Sequence, residues 1–332
     1  MKVLITGASG FIGTNFIEFL LNKQKEGYEL EILNIDIKPP KINKHYIFWK
    51  EIDIKNFSKL KDVFENFKPT HVLHLAAKAD VLGKSIEDFP DNILGTKNVV
   101  ECVKRIPTIK RFIHTSTQFV VKPGAYPKSD DFYLPYTPYG ESKAESERIV
   151  RKAQLNTCWI IIRPVNVWGP WHPMFPKGLW KYISKGLYIH PGFKPVIKYY
   201  SYVENTCEQI FKLLFEVESD KVCGKVIYIT DEPINNYLWM NTFSKYLRNS
   251  EVKRVPRFVW RCLAILGDFL NKIKIPFPMR SDRHFRLTVN ENLPHEKTFN
   301  ILGRPKVSLE EGVKKAVEWL KQEYPYLIRV NK

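Results

Sequence analysis

Short runs of aliphatic and β-branched residues alternate with stretches of helical periodicity through the first half of the chain. Strands that alternate with helices of about ten or more residues are typical of right-handed βαβ units. Such units build a parallel sheet with helices on both faces, so the alternation predicts an α/β, doubly wound fold. In chain order, we predict strands at residues 2–6, 30–35, 46–49, 70–75, 111–116 and 159–163, and helices at residues 10–25, 60–67, 93–105 and 142–153.

The second half of the chain has a different pattern. Prolines and aromatic residues are crowded into residues 170–195, and beyond Asp231 the chain is mostly helical or loop-like. Between these segments, a helix at residues 204–218 and a strand at residues 225–229 resemble the first half. The pattern therefore predicts a sheet domain and a smaller, mostly helical C-terminal lobe. The sheet domain comprises residues 1–168 with 201–230 returning to it, and the lobe comprises residues 169–200 and 231–332.

Composition narrows the class of protein. The chain has 332 residues, of which 44% are hydrophobic, and this is enough for one large or two smaller cores. It has no apolar run near the ~20 residues that a membrane helix needs, and no apolar leader at its start. Its cysteines are scattered and odd in number, which argues against a disulfide framework and a zinc site. We therefore expect a reduced, cytoplasmic protein without a metal, whose cysteines are Cys102, Cys158, Cys207, Cys223 and Cys262.

The formal net charge is +17, which favours anionic ligands. The basic residues are spread along the chain, and the sequence has no zinc-finger, RNP or basic-zipper pattern. We therefore expect no nucleic-acid partner. We interpret the charge mainly as a solvated surface, with some bias towards phosphate-bearing ligands.

The first predicted strand runs into a turn that contains Gly7, Gly10 and Gly13 and leads into a helix. Glycine is needed where a turn is tight and where the backbone must approach a pyrophosphate closely. The helix that starts at Phe11 and Ile12 offers free N–H groups and the positive end of its dipole to phosphates. A glycine triplet between a strand and a helix predicts a dinucleotide-binding (Rossmann) site. The alternative is an ordinary strand–helix turn.

Acidic residues follow the next two strands. Asp36 can accept hydrogen bonds from both adenosine ribose hydroxyls and would repel a 2′-phosphate, so we predict NAD as the cofactor in preference to NADP. Lys38 and Lys41 lie close to Asp36 in sequence and weaken that preference. Asp53, next to Ile54, can accept from the adenine amino group, and we place both in the cofactor site. The alternative for Asp53 is a helix-capping or surface carboxylate.

Tyr139 and Lys143 are four residues apart, so a helix places both side chains on one face. Oxidation of an alcohol needs a proton acceptor, and a free phenol with a pKa of ~10 is a poor base at neutral pH. A neighbouring ammonium and a nicotinamide cation would lower that pKa. Thr117 follows a predicted strand and can align a substrate oxygen with Tyr139. We predict these three as the catalytic residues; the alternative is an accidental Tyr–Lys pair on an amphipathic helix.

These motifs resemble those of the extended short-chain dehydrogenase/reductase family, in its nucleotide-sugar epimerase/dehydratase branch. Residues 6–13 resemble its TGxxGxxG turn, residues 163–170 its RPxNVYGP segment, and residues 301–312 its LGxxP…SLEEG tail. The resemblance implies that the larger lobe binds NAD and the smaller lobe closes over a nucleoside-diphosphate sugar. It also implies a homodimer through helices that include residues 142–153. Further NAD contacts are implied at Leu75, Ala76, Ala77, Asn92 (in an N-x-x-GT signature) and Pro164.

The chain departs from the family pattern in two places. The 4,6-dehydratases have Asp-Glu directly after the catalytic threonine, where this sequence has Gln118 and Phe119, so we do not expect a dehydratase. Lys198 stands where the family has an arginine, and it offers a diphosphate a point charge without a bidentate fork. We predict Asn166 and Lys198 as diphosphate ligands. The missing fork would come from Arg283, or from its neighbours Arg280 and Arg286.

Residues 255–275 fit the family pattern poorly, because apolar residues are interleaved there with arginines and lysines. A buried helix of the second lobe is the more common outcome for such a stretch. The alternative is an interfacial helix that brings the enzyme to a membrane, to act on a lipid-linked sugar.

Residues and resemblance together predict an NAD-dependent epimerase that oxidises a nucleoside-diphosphate sugar transiently to a keto intermediate, in surface polysaccharide biosynthesis. One alternative is a net oxidoreductase, either a keto-sugar reductase or, given the apolar segment, an enzyme similar to hydroxysteroid dehydrogenases. The other alternative is a non-catalytic NAD-sensing module. Such modules typically lack the tyrosine or the lysine that this chain retains.

Overall fold

The computed structural model describes residues 1–79, 83–275 and 277–327. Strands and helices alternate through the first half, as the sequence predicts. In chain order they are β1 (Lys2–Thr6), α1 (Phe11–Lys25), β2 (Glu31–Asp36), β3 (Trp49–Glu51), α2 (Phe57–Phe67), β4 (His71–His74), α3 (Thr96–Arg105), β5 (Arg111–Thr115), α4 (Pro138–Lys152) and β6 (Cys158–Pro164).

The second half is richer in helices and its strands are short. Its elements are β7 (Asn166–Trp168), α5 (Leu179–Ser184), β8 (Ile189–Pro191), β9 (Ile197–Lys198), β10 (Tyr200–Tyr202), α6 (Val203–Phe211), α7 (Ser219–Val222), β11 (Val226–Ile229), β12 (Ile234–Asn235), α8 (Asn236–Arg248), β13 (Lys253–Val255), α9 (Arg257–Lys272), α10 (Ser281–Thr288), α11 (His295–Leu302) and α12 (Leu309–Glu323).

Seven strands form one parallel sheet in the order β11-β6-β5-β4-β1-β2-β3. The strand order reverses at β1, where Thr6 lies beside Ile35 of β2 on one side and His74 of β4 on the other. In doubly wound sheets, ligands bind in the crevice at the carboxyl ends of the strands at this reversal. The predicted fold class is confirmed, and the topology places a ligand site just beyond Thr6. The remaining strands pair two by two, as β7–β10, β9–β12 and β8–β13.

Side chains of β1 alternate between two cores. Val3 and Ile5 belong to the core that contains the buried face of α1, whereas Leu4 belongs to the core covered by α2 and α3. This alternation is the two-residue period of a strand, and here both faces are apolar. The first core continues into the C-terminal helices through residues of α6, α8 and α12, among them Ile210, Phe243 and Val317. Within the described residues, no helix is both long and apolar enough to cross a bilayer.

The third strand is the clearest error in the predicted boundaries. Residues 46–49 were expected to be a strand, but Asn43–Phe48 forms a 3₁₀ turn and the strand starts at Trp49. The turn is held by buried His45, whose ring bonds Glu18 at 2.5 Å. Aromatic and β-branched residues favour a strand in isolation, but this tertiary contact overrides that preference.

The cysteines also differ from the expectation of a fully reduced protein. Cys158 at the start of β6 and Cys223 just before β11 form a disulfide, with their Cα atoms 5.0 Å apart. The two residues are 65 positions apart in sequence. They meet because β6 and β11 are neighbours in the sheet, and spacing in the sequence does not reveal that pairing. Cys102, Cys207 and Cys262 are free.

The disulfide predicts a definite pattern of thiol reactivity. When protein purified without reductant is denatured and alkylated, three cysteines should be labelled, namely Cys102, Cys207 and Cys262. Prior reduction should add Cys158 and Cys223. Peptide mass spectrometry gives the assignment, and labelling of either Cys158 or Cys223 without reduction would contradict the pairing.

Candidate active site

The glycine turn is packed tightly between β1, β4 and α1. Gly7 has a φ of +76°, and a Cβ there would lie 2.5 Å from the backbone nitrogen of Ala76. A Cβ on Gly13 would overlap the backbone of Ala8. Only glycine fits both positions. The turn therefore lets the backbone come close to any ligand that sits over the end of β1.

The N-terminus of α1 is available to an anion. Gly10 occupies the N-cap position, no side chain of the described residues caps it, and the first turn carries no acidic residue. The first N–H groups of a helix have no partner within the helix, and the dipole adds positive potential there. With the glycine turn beside it, this terminus fits the pyrophosphate of a dinucleotide.

Asp36 lies directly beside the glycine turn. Its Oδ2 accepts a hydrogen bond from the backbone N–H of Ser9 (3.0 Å), and its Oδ1 accepts from that of Lys38 (2.9 Å). Burial raises the pKa of the carboxyl group, against these two bonds. The position suits the predicted ribose contact. The Lys41 ammonium donates to the carbonyl of Trp171 at 3.3 Å, and its charge still interacts with that of Asp36.

The other predicted cofactor residues lie at or just after the carboxyl ends of β3, β4 and β6. Ala76 donates its N–H to Thr6 Oγ1 at 3.2 Å, and residues 75–77 are half-buried at the end of β4. Ile54 is buried against Gly95, where any larger residue would overlap it. Asp53 accepts from the N–H of Lys55 at 2.8 Å, as a turn carboxylate does. Pro164 is the last residue of β6 and is buried at the same end of the sheet.

Asn92 is fully buried, and both the oxygen and the nitrogen of its side-chain amide are hydrogen-bonded. Its Oδ1 accepts from the N–H of Lys78 (2.8 Å), and its Nδ2 donates to the carbonyl of Lys78 (3.1 Å) and to Ser142 Oγ (2.8 Å). These bonds tie the segment after β4 to α4. Asn92 therefore positions both sides of the crevice, a role that the sequence motif alone does not reveal.

Helix α4 begins at Pro138, four residues before the predicted start at residue 142. Thr137 Oγ1 caps it by accepting from the N–H of Gly140 at 3.0 Å, and proline is favoured at the first helical position. This earlier start brings Tyr139 into the first turn, with Lys143 one turn further on. Tyr139 is 9% exposed and Lys143 is 2% exposed.

Burial shifts the two pKa values in opposite directions. It raises the pKa of Tyr139 to about 12, and a hydrogen bond with the Thr117 side chain partly opposes the shift. It lowers the pKa of Lys143 to about 8, against an opposing effect of Glu147. The predicted lowering of the tyrosine pKa required a nicotinamide cation as well as the ammonium, and in the protein alone burial outweighs it. The rings of Phe89 and Phe119, with centroids 6.0 and 6.4 Å from that of Tyr139, help to exclude water.

A buried polar network connects α4 to β5 and β6, and we did not predict it from the sequence. Glu147 is fully buried and accepts from Ser116 Oγ (2.5 Å), Arg163 Nε (2.9 Å) and Arg163 Nη2 (2.8 Å). The sequence did contain a signal for this ion pair, because Glu147 lies one helical turn after Lys143 and Arg163 opens the RPxN segment. The network joins the end of β5 to α4 and β6, and so orients the strand end that carries Thr117.

The predicted substrate residues are not all brought together. Asn166 donates to the carbonyl of Tyr199 at 3.1 Å, and Lys198 is buried in an ion pair with Glu291 at 2.9 Å. Arg283 is exposed on α10 and donates to the carbonyl of Pro278 at 2.8 Å. Arg286, on the same helix, is also exposed and pairs with Asp282 at 3.0 Å.

Comparison with known proteins identifies the family. The model of the family described as "NAD dependent epimerase/dehydratase family" matches residues 3–191. A dTDP-glucose 4,6-dehydratase of Neisseria meningitidis is 31% identical over 208 residues, 54% of this chain and 56% of that protein. A UDP-glucuronate 4-epimerase of Thermodesulfobacterium geofontis is 31% identical over 159 residues, 43% of this chain and 48% of that protein. These alignments span about half the length of the curated relatives.

Solved structures share the fold over nearly the whole chain. The UDP-glucuronic acid 4-epimerase of Bacillus cereus, solved in complex with NAD, superposes with a TM-score of 0.73 at 21% identity. The alignment covers 98% of each chain. The family resemblance proposed from the sequence motifs is confirmed. Because the family model covers more than half of the chain, the protein belongs to the NAD-dependent epimerase/dehydratase family, a family of enzymes that use NAD.

Proposed function

We propose that the protein is an NAD-dependent epimerase of a nucleoside-diphosphate sugar that acts in surface polysaccharide biosynthesis. The observation that carries the proposal is the buried Tyr139, hydrogen-bonded with Thr117 and one helical turn before Lys143. Thr117 follows β5 at the carboxyl end of the parallel sheet, the same end at which the glycine turn follows β1. Relatives with partial coverage include a UDP-glucuronate 4-epimerase, which supports the same substrate class.

Each residue of the set has a defined task. The glycine turn, Asp36 and Lys143 would hold NAD, which would supply a reversible hydride acceptor for the sugar carbon. Tyr139 takes the proton of the sugar hydroxyl as the carbon is oxidised, and gives it back when the keto sugar is reduced on its other face. Thr117 holds the phenolic oxygen and the substrate oxygen in line. Lys143, as an ammonium, favours the phenolate and binds the nicotinamide ribose.

Loss of water from the sugar would need the acid pair that dehydratases carry after the catalytic threonine, and the described part of this site does not have that pair at those two positions. Gln118 and Phe119 stand where dehydratases have Asp-Glu, and Gln118 is buried. The nearest buried carboxylate in the network, that of Glu147, is held by Arg163 and Ser116. A carboxylate in such a pair is a poor proton donor, so these contacts support epimerisation over dehydration.

Residues in and next to the C-terminal lobe would recognise the substrate. We propose that the diphosphate binds near Asn166 and Lys198, where it would compete with Glu291 for the lysine. The fork that Lys198 lacks would come from Arg283, as the sequence predicts, or from Arg286 on the same helix, each after leaving its present partner. The division into lobes, the homodimer through helices that include residues 142–153, and the cytoplasmic location remain proposals of the same kind.

A net oxidoreductase is the second candidate, because Tyr139 and Lys143 would serve it equally well. Cofactor use separates the two. An epimerase should copurify with tightly held NAD(H) and convert its substrate without added cofactor, since hydride returns to the sugar. We expect turnover of at least one member of a panel containing UDP-glucose, UDP-glucuronic acid and dTDP-glucose, followed by chromatography. Turnover only with stoichiometric added NADH would establish a reductase.

Replacement of Tyr139 by Phe should reduce turnover at least ~100-fold, the usual scale for a positioned acid–base group. The Tyr246→Phe variant is the matched control, because Tyr246 lies on α8 and is 44% exposed. Its activity should equal that of the unmodified enzyme. Near-normal turnover by the Tyr139→Phe variant would remove Tyr139 from the mechanism.

The charge of Lys143 should destabilise the cofactor-free protein at neutral pH. Its pKa is lowered to about 8 in the fold, against about 10.4 in the unfolded chain. Between these values the unfolded chain binds more protons, so the free energy of unfolding rises with pH. Relative to wild type, the Lys143→Met variant should therefore be more stable near neutral pH, and the difference should shrink as the pH approaches 10.

Urea denaturation of the cofactor-free protein across this pH range measures that difference. Lys152→Met is the control, since Lys152 is exposed at the end of the same helix. A stability difference between Lys143→Met and wild type that does not change with pH would contradict the assigned shift.

A further inference from the structure

Helix α9 is attached to the protein by one narrow face. Its fully buried residues are Trp260, Ala264 and Gly267, which share one side of the helix. Trp260 Nε1 donates to the carbonyl of Ile189 at 3.0 Å, and the backbone of Met279 packs directly on Gly267. The favoured prediction of a buried helix at residues 255–275 is therefore wrong for the rest of its surface.

The opposite side of α9 is apolar and exposed. Phe258, Ile265 and Phe269 are exposed by 69%, 57% and 60% of their surface, and Leu266 and Ile273 by 49% and 52%. At 100° per residue these five positions fall within one continuous stripe along the helix. Isolated exposed apolar residues are ordinary, but a continuous stripe on one helix marks a contact surface.

Positive charge borders this stripe. Arg261 and Lys272 line its edge, and Arg257 lies at the start of the helix beside Gly192; all three are exposed, and none has an ion-pair partner among the described residues. Between Lys253 and Arg286 the sequence has nine Lys or Arg and two Asp, an excess of seven positive charges. Phe285 on α10, which packs against α9, adds a further aromatic ring that is 48% exposed.

We propose that α9, with α10 beside it, is a docking surface for an anionic lipid membrane. The stripe would insert at the boundary of headgroups and acyl chains, and the cationic edge would meet the lipid phosphates. The helix has 16 residues, fewer than the ~20 that span a bilayer. It therefore lies in the plane of the interface.

Charge favours a membrane over a second copy of the chain. In a two-fold interface the same patch faces itself, so this surface would bring two cationic edges together. Like charges in contact disfavour such a pair, whereas anionic lipids neutralise both edges.

The surface is linked to the proposed substrate lobe. The segment that follows α10 leads directly to Asn290, whose side chain accepts from the N–H of Ile197, and to Glu291, which holds Lys198. Membrane docking would therefore hold β9 and its lysine at a fixed distance from the lipid surface. A membrane-bound enzyme that consumes the product would then meet that product close to the lipid surface.

Flotation with vesicles tests the proposal with the purified chain of 332 residues. Unmodified protein should float with vesicles of phosphatidylcholine and phosphatidylglycerol, and much less with phosphatidylcholine alone or at high salt. The Phe258→Ser/Phe269→Ser variant should lose at least about tenfold in partition coefficient. Its turnover of a soluble sugar nucleotide and its thermal unfolding should be unchanged, because both side chains are outside the core. Trp260 is unsuitable for substitution, because it anchors the helix.

Two further variants complete the experiment. Ile47→Ser is the control, since Ile47 is 82% exposed but lies in the turn before β3, and it should float normally. The Arg257→Gln/Arg261→Gln/Lys272→Gln variant should lose the preference for anionic vesicles. Failure of unmodified protein to float, or equal flotation of the Phe258→Ser/Phe269→Ser variant, would overturn the proposal. Self-association abolished by that variant, without flotation of the parent, would make the surface an interface between copies of this chain.

Discussion

The site depends on one constraint: the phenol of Tyr139 and the ammonium of Lys143 are both buried, on adjacent turns of the same helix. Desolvation raises the pKa of Tyr139 and lowers that of Lys143, so each group is held towards its neutral form. The reactive combination, a phenolate beside an ammonium, is therefore disfavoured in the protein alone. In this account the positive charge of an oxidised nicotinamide supplies what is missing, so proton acceptance becomes coupled to cofactor binding.

The scaffold holds Tyr139 and Lys143 in place through hydrogen bonds and an ion pair that are buried or part-buried. Thr137 fixes the start of α4, Asn92 joins that helix to the loop after β4, and Glu147 joins it to Ser116 and Arg163. Two buried histidines lie near the same helix, and burial lowers the pKa of His74 to about 3 and that of His114 well below its usual value. Both are neutral at physiological pH, so they add no charge beside the lysine.

Much of the fold could be predicted because local periodicity and burial coincide in a doubly wound sheet. The strands, the glycine turn and the spacing of Tyr139 and Lys143 are all local patterns. Features that depend on distant contacts were missed: the turn around His45 that displaces β3, the disulfide between neighbouring strands, and the network of Glu147. The exposed face of α9 was also misjudged, because an apolar helix pattern has the same appearance whether a core or a lipid surface receives it.

The most direct test of the account is the ionisation of Tyr139 itself, followed by NMR of protein labelled with ¹³C at the tyrosine ζ carbon. The Tyr139→Phe variant assigns the signal among the tyrosines. The account predicts that Tyr139 stays a phenol to about pH 12 in the cofactor-free protein. It also predicts ionisation at clearly lower pH with NAD⁺ bound, but not with NADH, whose nicotinamide is uncharged. The same ionisation with and without NAD⁺ would contradict it.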